Sequence, residues 1–438
     1  MKQYPKYKDS GIQWIGQIPE GWNVLKFKHC FNTSTGMNIA KSDLTESGVA
    51  IISYGQIHAK TNTQTHLSDD LVRYIPRELI KGGDTCKLCK NDIVFADTSE
   101  DLEGCGNAVF IDTNQEIYAG YHTIIAHPII EGEIKYLAYL FNTPVWRQQL
   151  RKSVVGIKVY SITQKLLKDS CLLLPPFSEQ ESIVRYLDDK TAKIYETVNL
   201  LEQQKADLQQ YRKALISQTV TRGLNPNAKL KDSGIQWIGQ IPEGWKVGRL
   251  KDISAFINGY AFNSNTFSKE KGKRVIRIGD IGRTIDYVNC IRTTEQNDAL
   301  EFYKIHENDI LIAMSGATTG KSCLAVNVEE AYINQRVGII RSEHYGYISY
   351  ILQMPYLNEY ISLNDAGSAQ PNVSGKSIGN LPIPLPPLTE QQAIVEYLEL
   401  KTAKIDEAMK RIDEQIEDLR AYRTALITEA VTGKIDVR

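Results

Sequence analysis

Residues 174–221 decide the fold of this chain and read LPPFSEQESIVRYLDDKTAKIYETVNLLEQQKADLQQYRKALISQTVT. Residues 385–432 read LPPLTEQQAIVEYLELKTAKIDEAMKRIDEQIEDLRAYRTALITEAVT and align with the first stretch without a gap. The offset between the two copies is 211 residues throughout. A long repeat at one fixed offset indicates that a whole structural unit has been duplicated.

Both copies carry an apolar residue at every seventh position, and a second row of the same period is interrupted by polar residues. The regular rows are Leu187, Ile194, Leu201, Leu208 and Leu215, and Leu398, Ile405, Ile412, Leu419 and Leu426. The interrupted rows are Val184, Thr191, Val198, Lys205 and Arg212, and Val395, Thr402, Met409, Ile416 and Arg423. These heptads predict two long helices that form a coiled coil. Pseudo-twofold closure of the repeat favours an antiparallel pair over a parallel one, which stays open as the alternative.

The helices are expected to begin after the two proline pairs. Ser178 and Thr389 follow LPPF and LPPL and are predicted N-caps, because a hydroxyl satisfies the first free amides of a helix. Each helix has roughly 40 residues and a length of about 60 Å at about 1.5 Å per residue.

A second repeat precedes each half of the chain. KDSGIQWIGQIPEGW occurs at 8–22 and again, unchanged, at 231–245. We predict that its aromatic and proline residues clamp the start of each domain against the helices; the alternative is that they are ordinary core residues of a recently duplicated segment. The residues concerned are Trp14, Pro19, Trp22, Trp237, Pro242 and Trp245.

Between these repeats lie two diverged stretches whose weaker echoes indicate one shared framework. ISYGQI at 52–57 resembles IRIGDI at 276–281, NDI recurs at 91–93 and 308–310, and Ile124-Ile125 is matched with Ile339-Ile340 at an offset of 215. Runs such as DILIAM (309–314) predict strands, and IKYLAYLFN (134–142) predicts a helix. The fold class is therefore α/β. The segments are an opening motif at 1–22, a diverged domain at 23–173, a central helix at 174–222, a linker with the repeated motif at 223–245, a second diverged domain at 246–384 and a C-terminal helix at 385–438.

Composition limits the classes of function. Lys and Arg number 51 and Asp and Glu number 52, so no global positive field draws the chain to nucleic acid or membrane. No apolar run approaches the roughly 18–20 residues of a membrane span, and the seven scattered cysteines are typical of reduced thiols. We expect a cytoplasmic protein without a metal site.

Motifs of catalysis are absent or defective in the sequence. MSGATTGKS at 314–322 resembles a phosphate-binding P-loop, but its glycines are one residue too close and Ser315 occupies a required glycine position. We interpret it as a polar loop whose Thr318, Thr319 and Lys321 contact a phosphate or a base. No nucleophile, base and acid follow a catalytic spacing, so no enzyme and no catalytic residue are predicted.

Local charge is more informative than net charge. Seven Lys or Arg and no acid lie between Ile134 and Lys168, and six basic residues lie in 269–283. A basic segment in each diverged domain favours phosphate contacts, and neighbouring aromatic and amide side chains suit base edges. The predicted DNA contacts are Tyr54, Lys152, Lys158, Tyr160, Asn258, Tyr260, Arg277, Arg283, Thr318, Thr319, Lys321, Gln335 and Arg336.

The repeated KDSGIQWIGQIPEGW, the diverged domain and the LPP-[FL]-[ST]-EQ helix together resemble the specificity subunit of type I restriction-modification systems. The resemblance covers nearly the whole chain. It implies that 23–173 and 246–384 are target-recognition domains, each reading one half of a bipartite double-stranded DNA site. It also implies that the antiparallel coiled coil is a spacer on which two methyltransferase subunits dock.

The resemblance assigns the chemistry to partners. S-adenosylmethionine belongs to the methyltransferase subunits, ATP and Mg belong to the restriction and translocation subunits, and this chain holds no cofactor. The half-sites are expected about 10 bp apart, and a heptad inserted into the helices should change only the gap. The alternatives are a coiled-coil scaffold with two protein-binding domains and a self-contained restriction-methylation polypeptide.

Overall fold

The structure is a computed structural model that describes residues 2–13, 15–80, 83–154, 159–363 and 372–438. The chain forms two compact units. Unit 1 comprises Met1–Leu201 and Glu414–Arg438, and unit 2 comprises Glu202–Asp413. The boundaries between the units fall inside both long helices, so each unit contains one diverged domain and half of each helix.

The two long helices span 46 and 44 residues, somewhat more than expected. The helices are α1 (Tyr54–Ile57), α2 (Ile134–Phe141), α3 (Pro144–Arg151), α4 (Gln164–Asp169), α5 (Phe177–Arg222), α6 (Tyr345–Ile351), α7 (Tyr356–Leu363), α8 (Gly375–Gly379) and α9 (Leu388–Val431). The predicted helix over 134–142 is confirmed as α2.

The predicted N-caps Ser178 and Thr389 are wrong. Helices α5 and α9 already begin at Phe177 and Leu388, so both hydroxyl residues lie inside the first turn. The amides of Glu179 and Gln180 donate to the Pro176 carbonyl at 2.9 and 3.0 Å, and Pro387 serves α9 in the same way. Proline fits this position because it brings no amide proton of its own.

Unit 1 contains a four-stranded sheet in the order β4-β11-β7-β9 and a three-stranded sheet in the order β10-β5-β6. Its strands are β1 (Tyr7–Asp9), β2 (Gln17–Pro19), β3 (Asn23–Lys26), β4 (Phe31–Thr35), β5 (Val49–Ile52), β6 (Arg73–Ile75), β7 (Ile93–Ala96), β8 (Thr98–Ser99), β9 (Ala108–Phe110), β10 (Ile117–Ala119), β11 (Thr123–Pro128), β12 (Tyr160–Ser161) and β13 (Cys171–Leu174). Strand β7 is buried at every residue, as expected of a central strand.

Unit 2 repeats this plan with the sheets β17-β24-β21-β22 and β18-β20-β19-β23. Its strands are β14 (Leu230–Asp232), β15 (Gln240–Pro242), β16 (Lys246–Arg249), β17 (Ala255–Asn258), β18 (Phe267–Ser268), β19 (Lys273–Ile276), β20 (Ile291–Thr293), β21 (Ile310–Ala313), β22 (Ser322–Leu324), β23 (Ala331–Ile333), β24 (Val337–Arg341) and β25 (Pro382–Leu385). Among the described strands, unit 1 pairs β5 with β10 in parallel and unit 2 pairs β19 with β23 in parallel. The mixed α/β class is confirmed.

The repeated opening motif meets the repeated helix start in the same way in both units. The indole of Trp22 donates to the Glu179 carboxylate at 3.0 Å, and the indole of Trp245 donates to Glu390 at 2.8 Å. Both indoles are almost fully buried, as the clamp prediction requires. Trp14 lies outside the described residues. Its counterpart Trp237 stacks on Tyr356 with ring centroids 3.3 Å apart.

The glutamine of the EQ pair holds the turn before each helix. The side-chain amide of Gln180 donates to the Pro175 carbonyl at 2.9 Å, and the side-chain amide of Gln391 donates to the Pro386 carbonyl at the same distance. The LPP and EQ letters of the repeat are thereby explained by local hydrogen bonding.

Within each unit the long helices pack against each other. In unit 2, Lys205 pairs with Asp413 and Arg212 pairs with Asp406, so seven residues forward on α5 correspond to seven residues back on α9. The helix segments of unit 2 are therefore antiparallel. In unit 1 the guanidinium of Arg423 lies over the Tyr195 ring at 4.9 Å. The ten predicted seam residues are all buried or half-buried. The three basic residues that interrupt the second row, Lys205, Arg212 and Arg423, make these pairs.

Candidate nucleic-acid interface

One end of the sheets in unit 1 gathers an aromatic and polar cluster. The Tyr54 ring lies 5.4 Å from the rings of both Tyr121 and His122. His58 donates through Nε2 to the Thr98 carbonyl at 2.8 Å, because its Nδ1 faces the Asn107 amide at 3.0 Å. These contacts fix the tautomer of His58 and hold the cluster in one arrangement.

A cleft of about 540 Å³ opens beside this cluster. Its lining residues are Tyr54, Gly55, His58, Ser99, Glu100, Asp101, Glu103, Gly104 and Asn107. Most of them belong to loop A, defined as Asp97–Asn107, which contains four acids and no basic residue. The loop is braced internally, since Gly104 donates its amide to Asp101 at 2.6 Å. Carboxylates at this position accept hydrogen bonds from amino groups and repel phosphates.

Unit 2 presents its own loops at the corresponding end. Loop B, defined as Met314–Lys321, follows β21, and its Met314 amide donates to the Arg336 carbonyl at 2.9 Å. Gln335 and Arg336 are exposed, as is Lys321. This end of unit 2 therefore carries hydrogen-bond donors and positive charge where unit 1 carries acids.

The strand registers show which residues correspond. Ile93 pairs with Ala126 of β11 in unit 1. Its counterpart Ile310 pairs with Ile340 of β24 in unit 2, so β24 corresponds to β11 at an offset of 214 residues. The predicted match of Ile124-Ile125 with Ile339-Ile340 is thus wrong by one residue. A one-residue slip moves every side chain to the other face of a strand. In the corrected register, Tyr121 and His122 correspond to Gln335 and Arg336.

Most described members of the predicted contact set lie near these two ends. Tyr54 lines the cleft, and Tyr160 pairs with Ser99 of loop A. Lys152 is exposed and follows Arg151, whose guanidinium donates to the Glu103 carbonyl at 2.5 Å. Lys158 lies outside the described residues.

In unit 2, loop B contains Thr318, Thr319 and Lys321, and the side chain of Ile278, next to Arg277, lies beside Gly316. Tyr260 bridges to Asn334 and donates its hydroxyl to Glu295 at 2.8 Å. Asn258 pairs with Gly338 at the end of β17.

Arg283 approaches an acidic residue of a long helix. Its guanidinium is 3.6 Å from Asp406 on α9, within unit 2. The basic segments are also partly structural, since Lys135 pairs with Asp188 at 2.8 Å. Burial lowers the pKa of Arg147 to about 9, and this side chain donates to the Phe141 carbonyl inside the domain. Basic residues counted along the sequence therefore overstate the charge that faces solvent.

Sequence reasoning missed the unit 1 cluster of His58, Glu100, Asp101, Glu103, Asn107, Tyr121 and His122. The echo between the two halves was the signal that could have found them. Aligned at the correct offset, Tyr121-His122 falls on the Gln335-Arg336 pair that was already a candidate.

A basic side chain and a buried aspartate hold the turn before β7 in unit 1 and the turn before β21 in unit 2. His127 donates through Nδ1 to Asp92 at 2.9 Å, and this bond raises the pKa of His127 against the opposing effect of burial. The Ser34 hydroxyl lies 3.1 Å from His127 Nε2. In unit 2 the pair is Arg341 with Asp309 at 2.7 Å. The shared feature is a charged clamp on the turn, because Asp92 and Asp309 also accept amides from Cys89 and His306.

Two searches bear on other kinds of site. Among the described residues, no cluster of three or more His, Cys, Asp or Glu side chains is arranged to hold a metal ion. No described helix combines the length and apolar character that a membrane crossing requires.

Comparison with known proteins defines the class. The family model of the type I restriction modification DNA specificity domain matches residues 19–209 and 242–418. The chain therefore belongs to the type I restriction-modification specificity family.

Two relatives match most of this chain. The MjaVIII specificity subunit of Methanocaldococcus jannaschii is 26% identical over 74% of this chain and 77% of its own. The putative MjaX subunit of the same organism is 24% identical over 97% and 96%.

Two solved structures share the fold. A chain from a structure of the type I R-M system has a TM-score of 0.71 at 18% identity and covers 95% of this chain and 99% of its own. The HsdS subunit from Thermoanaerobacter tengcongensis has a TM-score of 0.51 at 18% identity, covering 95% and 98%. The expected α/β class and the expected family are confirmed.

Proposed function

We propose that this chain selects the DNA target of a type I restriction-modification complex and performs no chemistry itself. Each unit reads one half of an interrupted, asymmetric double-stranded site. The observation that carries the proposal is that two units with the same strand order present different side chains at equivalent loops. A constant framework with divergent loops is what two readers of different sequences require.

Reading is assigned to the loop ends of the two units. In unit 1 the aromatic cluster of Tyr54, Tyr121 and His122 and the carboxylates of loop A suit the amino groups of cytosine or adenine. In unit 2 the exposed Gln335 and Arg336 suit adenine and guanine edges in the major groove. Unlike side chains at equivalent places predict unlike half-sites.

The partners follow from the family and from the helices. Two methyltransferase subunits, which would carry S-adenosylmethionine, are proposed to dock on the paired helices, with restriction subunits supplying ATP- and Mg-dependent chemistry. The helices are proposed to form a coiled-coil spacer that sets the gap between half-sites.

Exposed apolar side chains on the helices recur at equivalent positions of the repeat. Unit 1 exposes Phe177 and Tyr422, and unit 2 exposes Leu388 and Tyr211, each at 50% or more. A surface that recurs in both units suits two copies of one partner. We expect Tyr211→Ala or Tyr422→Ala to leave one methyltransferase per chain and the double variant to leave none. Native mass spectrometry measures this, with the exposed Leu200→Ala as control, since Arg411 occupies the equivalent position.

Methylation mapping tests the function itself. The chain is co-expressed with its methyltransferase partner, and methylated bases are located by long-read sequencing. The expected result is one interrupted, asymmetric motif. An uninterrupted or palindromic motif, or methylation that persists without this chain, overturns the proposal.

A further inference from the structure

Loop B of unit 2 is a rigid turn between strands β21 and β22. The Gly320 amide donates to the Ala313 carbonyl at 2.8 Å, and the Thr319 amide donates to Gly316 at 3.1 Å. Gly316 and Gly320 have φ values of +80° and +85°, which side-chain-bearing residues rarely adopt. A side chain at Gly320 would also collide with Ile361 at 2.6 Å. The loop is thus held in one conformation before any ligand arrives.

Two hydroxyl groups in this loop are left without hydrogen-bond partners. Ser315 is only 8% exposed, and neither its Oγ nor the buried Oγ1 of Thr318 has a partner in the described chain. Among the described residues, no group accepts a hydrogen bond from the backbone amides of Ala317 and Thr318, and Ala317 is exposed. A buried polar group left unsatisfied costs about 1–3 kcal/mol, so two such groups in one loop require an explanation, which a bound acceptor would supply.

The charge around the loop is positive. Lys321 and Arg336 are exposed, and no acid occurs from Met314 to Ser322. The Lys321 ammonium and the backbone amides only donate, and the hydroxyls can do so as well. A ligand rich in acceptors and negatively charged fits this set, and a DNA phosphate is both.

The equivalent loop of unit 1, loop A, carries the opposite charge. Loop A carries Asp97, Glu100, Asp101 and Glu103, and strand pairing puts Asn107 at the position of Lys321. Four carboxylates exclude a phosphate from that loop. The difference shows that the framework does not require donors at this place.

We propose that loop B binds a backbone phosphate of the half-site read by unit 2 and positions that unit on the duplex without specifying bases. The proposal rests on the DNA-reading function proposed above. The sequence left a phosphate and a base as possible ligands of this loop, and the proposal selects the phosphate.

The test uses the assembled methyltransferase complex and a duplex with its mapped site. Lys321→Gln is expected to weaken binding roughly tenfold and to make the slope of log affinity against log salt shallower by about one. The methylated motif is expected to stay unchanged. Lys246→Gln, which removes an exposed lysine elsewhere in unit 2, is the matched control and should leave the slope intact.

The hydroxyls give a second readout that a structural role would not produce. Ser315→Ala with Thr318→Val is expected to leave the thermal midpoint unchanged or raised, because unsatisfied groups are removed, while DNA binding falls roughly tenfold. An unchanged salt slope in Lys321→Gln overturns the phosphate proposal, and so does undiminished DNA binding by the double variant Ser315→Ala with Thr318→Val. A changed base preference at the unit 2 half-site also overturns it. Failure of the wild-type complex to bind the mapped site selectively would instead overturn the proposed function.

Discussion

Loop A of unit 1 and loop B of unit 2 leave equivalent strands, β7 and β21, yet their chemistry is opposite. Loop A has four acids in eleven residues and borders a cleft, whereas loop B has no acid, one lysine and two unsatisfied hydroxyls. In both loops the last residue but one is a glycine of positive φ, Gly106 in loop A and Gly320 in loop B. The glycine that precedes the next strand has therefore been retained, while the length and the side chains of the loop have changed.

The framework shows the reverse pattern, because its contacts are the same in both units. Tyr136 donates its hydroxyl to the Val431 carbonyl at 3.0 Å, and Tyr347 donates to Val220 at 3.1 Å. The indole of Trp22 and the indole of Trp245 each meet the glutamate of the EQ pair. The contacts that the two units share thus lie where the domains join the helices, and the residues that differ lie at the loop ends.

The largest expected effect is on this framework. Trp22→Ala and Trp245→Ala should each destabilise the unit that contains the residue by about 3–5 kcal/mol, because a fully buried ring is lost and a glutamate partner is left. Hydrogen–deuterium exchange of β7 and β21 measures the two units separately. Phe302→Ala, at a residue 64% exposed, is the control and should change little. Unequal effects of the two tryptophans would break the equivalence of the frameworks.

The next effect is on base reading. Gln335→Tyr with Arg336→His gives unit 2 the residues of unit 1 at those positions and removes bidentate donors worth about 1–3 kcal/mol each. Methylation mapping should show an altered unit 2 half-site, with the other half-site and the gap retained. Val288→Ser, at an exposed residue outside the loop end, serves as control. An unchanged methylated motif would show that Gln335 and Arg336 do not read bases.

The division between framework and loops also explains what the sequence could predict. The heptads fixed the long helices because Leu187 and its successors recur at a period that only a helical pair uses. The Trp22–Glu179 contact was foreseeable as a clamp because both partners belong to repeated strings. The residue that starts α5 was mispredicted, since Pro176 replaced the hydroxyl cap.

The loop ends were harder because their residues do not repeat. A match that was one residue off, 215 in place of 214, hid the correspondence of His122 with Arg336. Arg283 was chosen for its charge, but the fold brings it to Asp406, and Arg147 is buried. Such outcomes depend on tertiary packing, which a charge count along the chain does not contain.

A smaller effect concerns the acids of loop A. Glu100→Gln with Glu103→Gln should raise affinity for non-specific duplex a few-fold, or about 0.5–1 kcal/mol, because two charges that repel phosphate are removed. The gain should shrink at high salt, where exposed charges are screened. Binding at two salt concentrations measures it, and Glu181→Gln on α5 is the control. Equal affinity at low salt would mean that loop A does not approach DNA.

The smallest expected effect is a difference in pH dependence between the His127–Asp92 pair and the Arg341–Asp309 pair. His127 has a raised pKa, so its contribution to stability is complete below the ordinary histidine value of about 6.5 and is lost as pH rises through the raised value. Arg341 stays charged, because the carboxylate of Asp309 raises a pKa that is already high. From about pH 5.5 to 8.5, His127→Arg should therefore lose less stability than the wild type, by about 1 kcal/mol or less for this partly exposed pair. Urea midpoints at both pH values measure the difference, and Arg341→His should import the same pH dependence into unit 2. If wild type and His127→Arg respond identically to pH, the Asp92 clamp does not depend on charge.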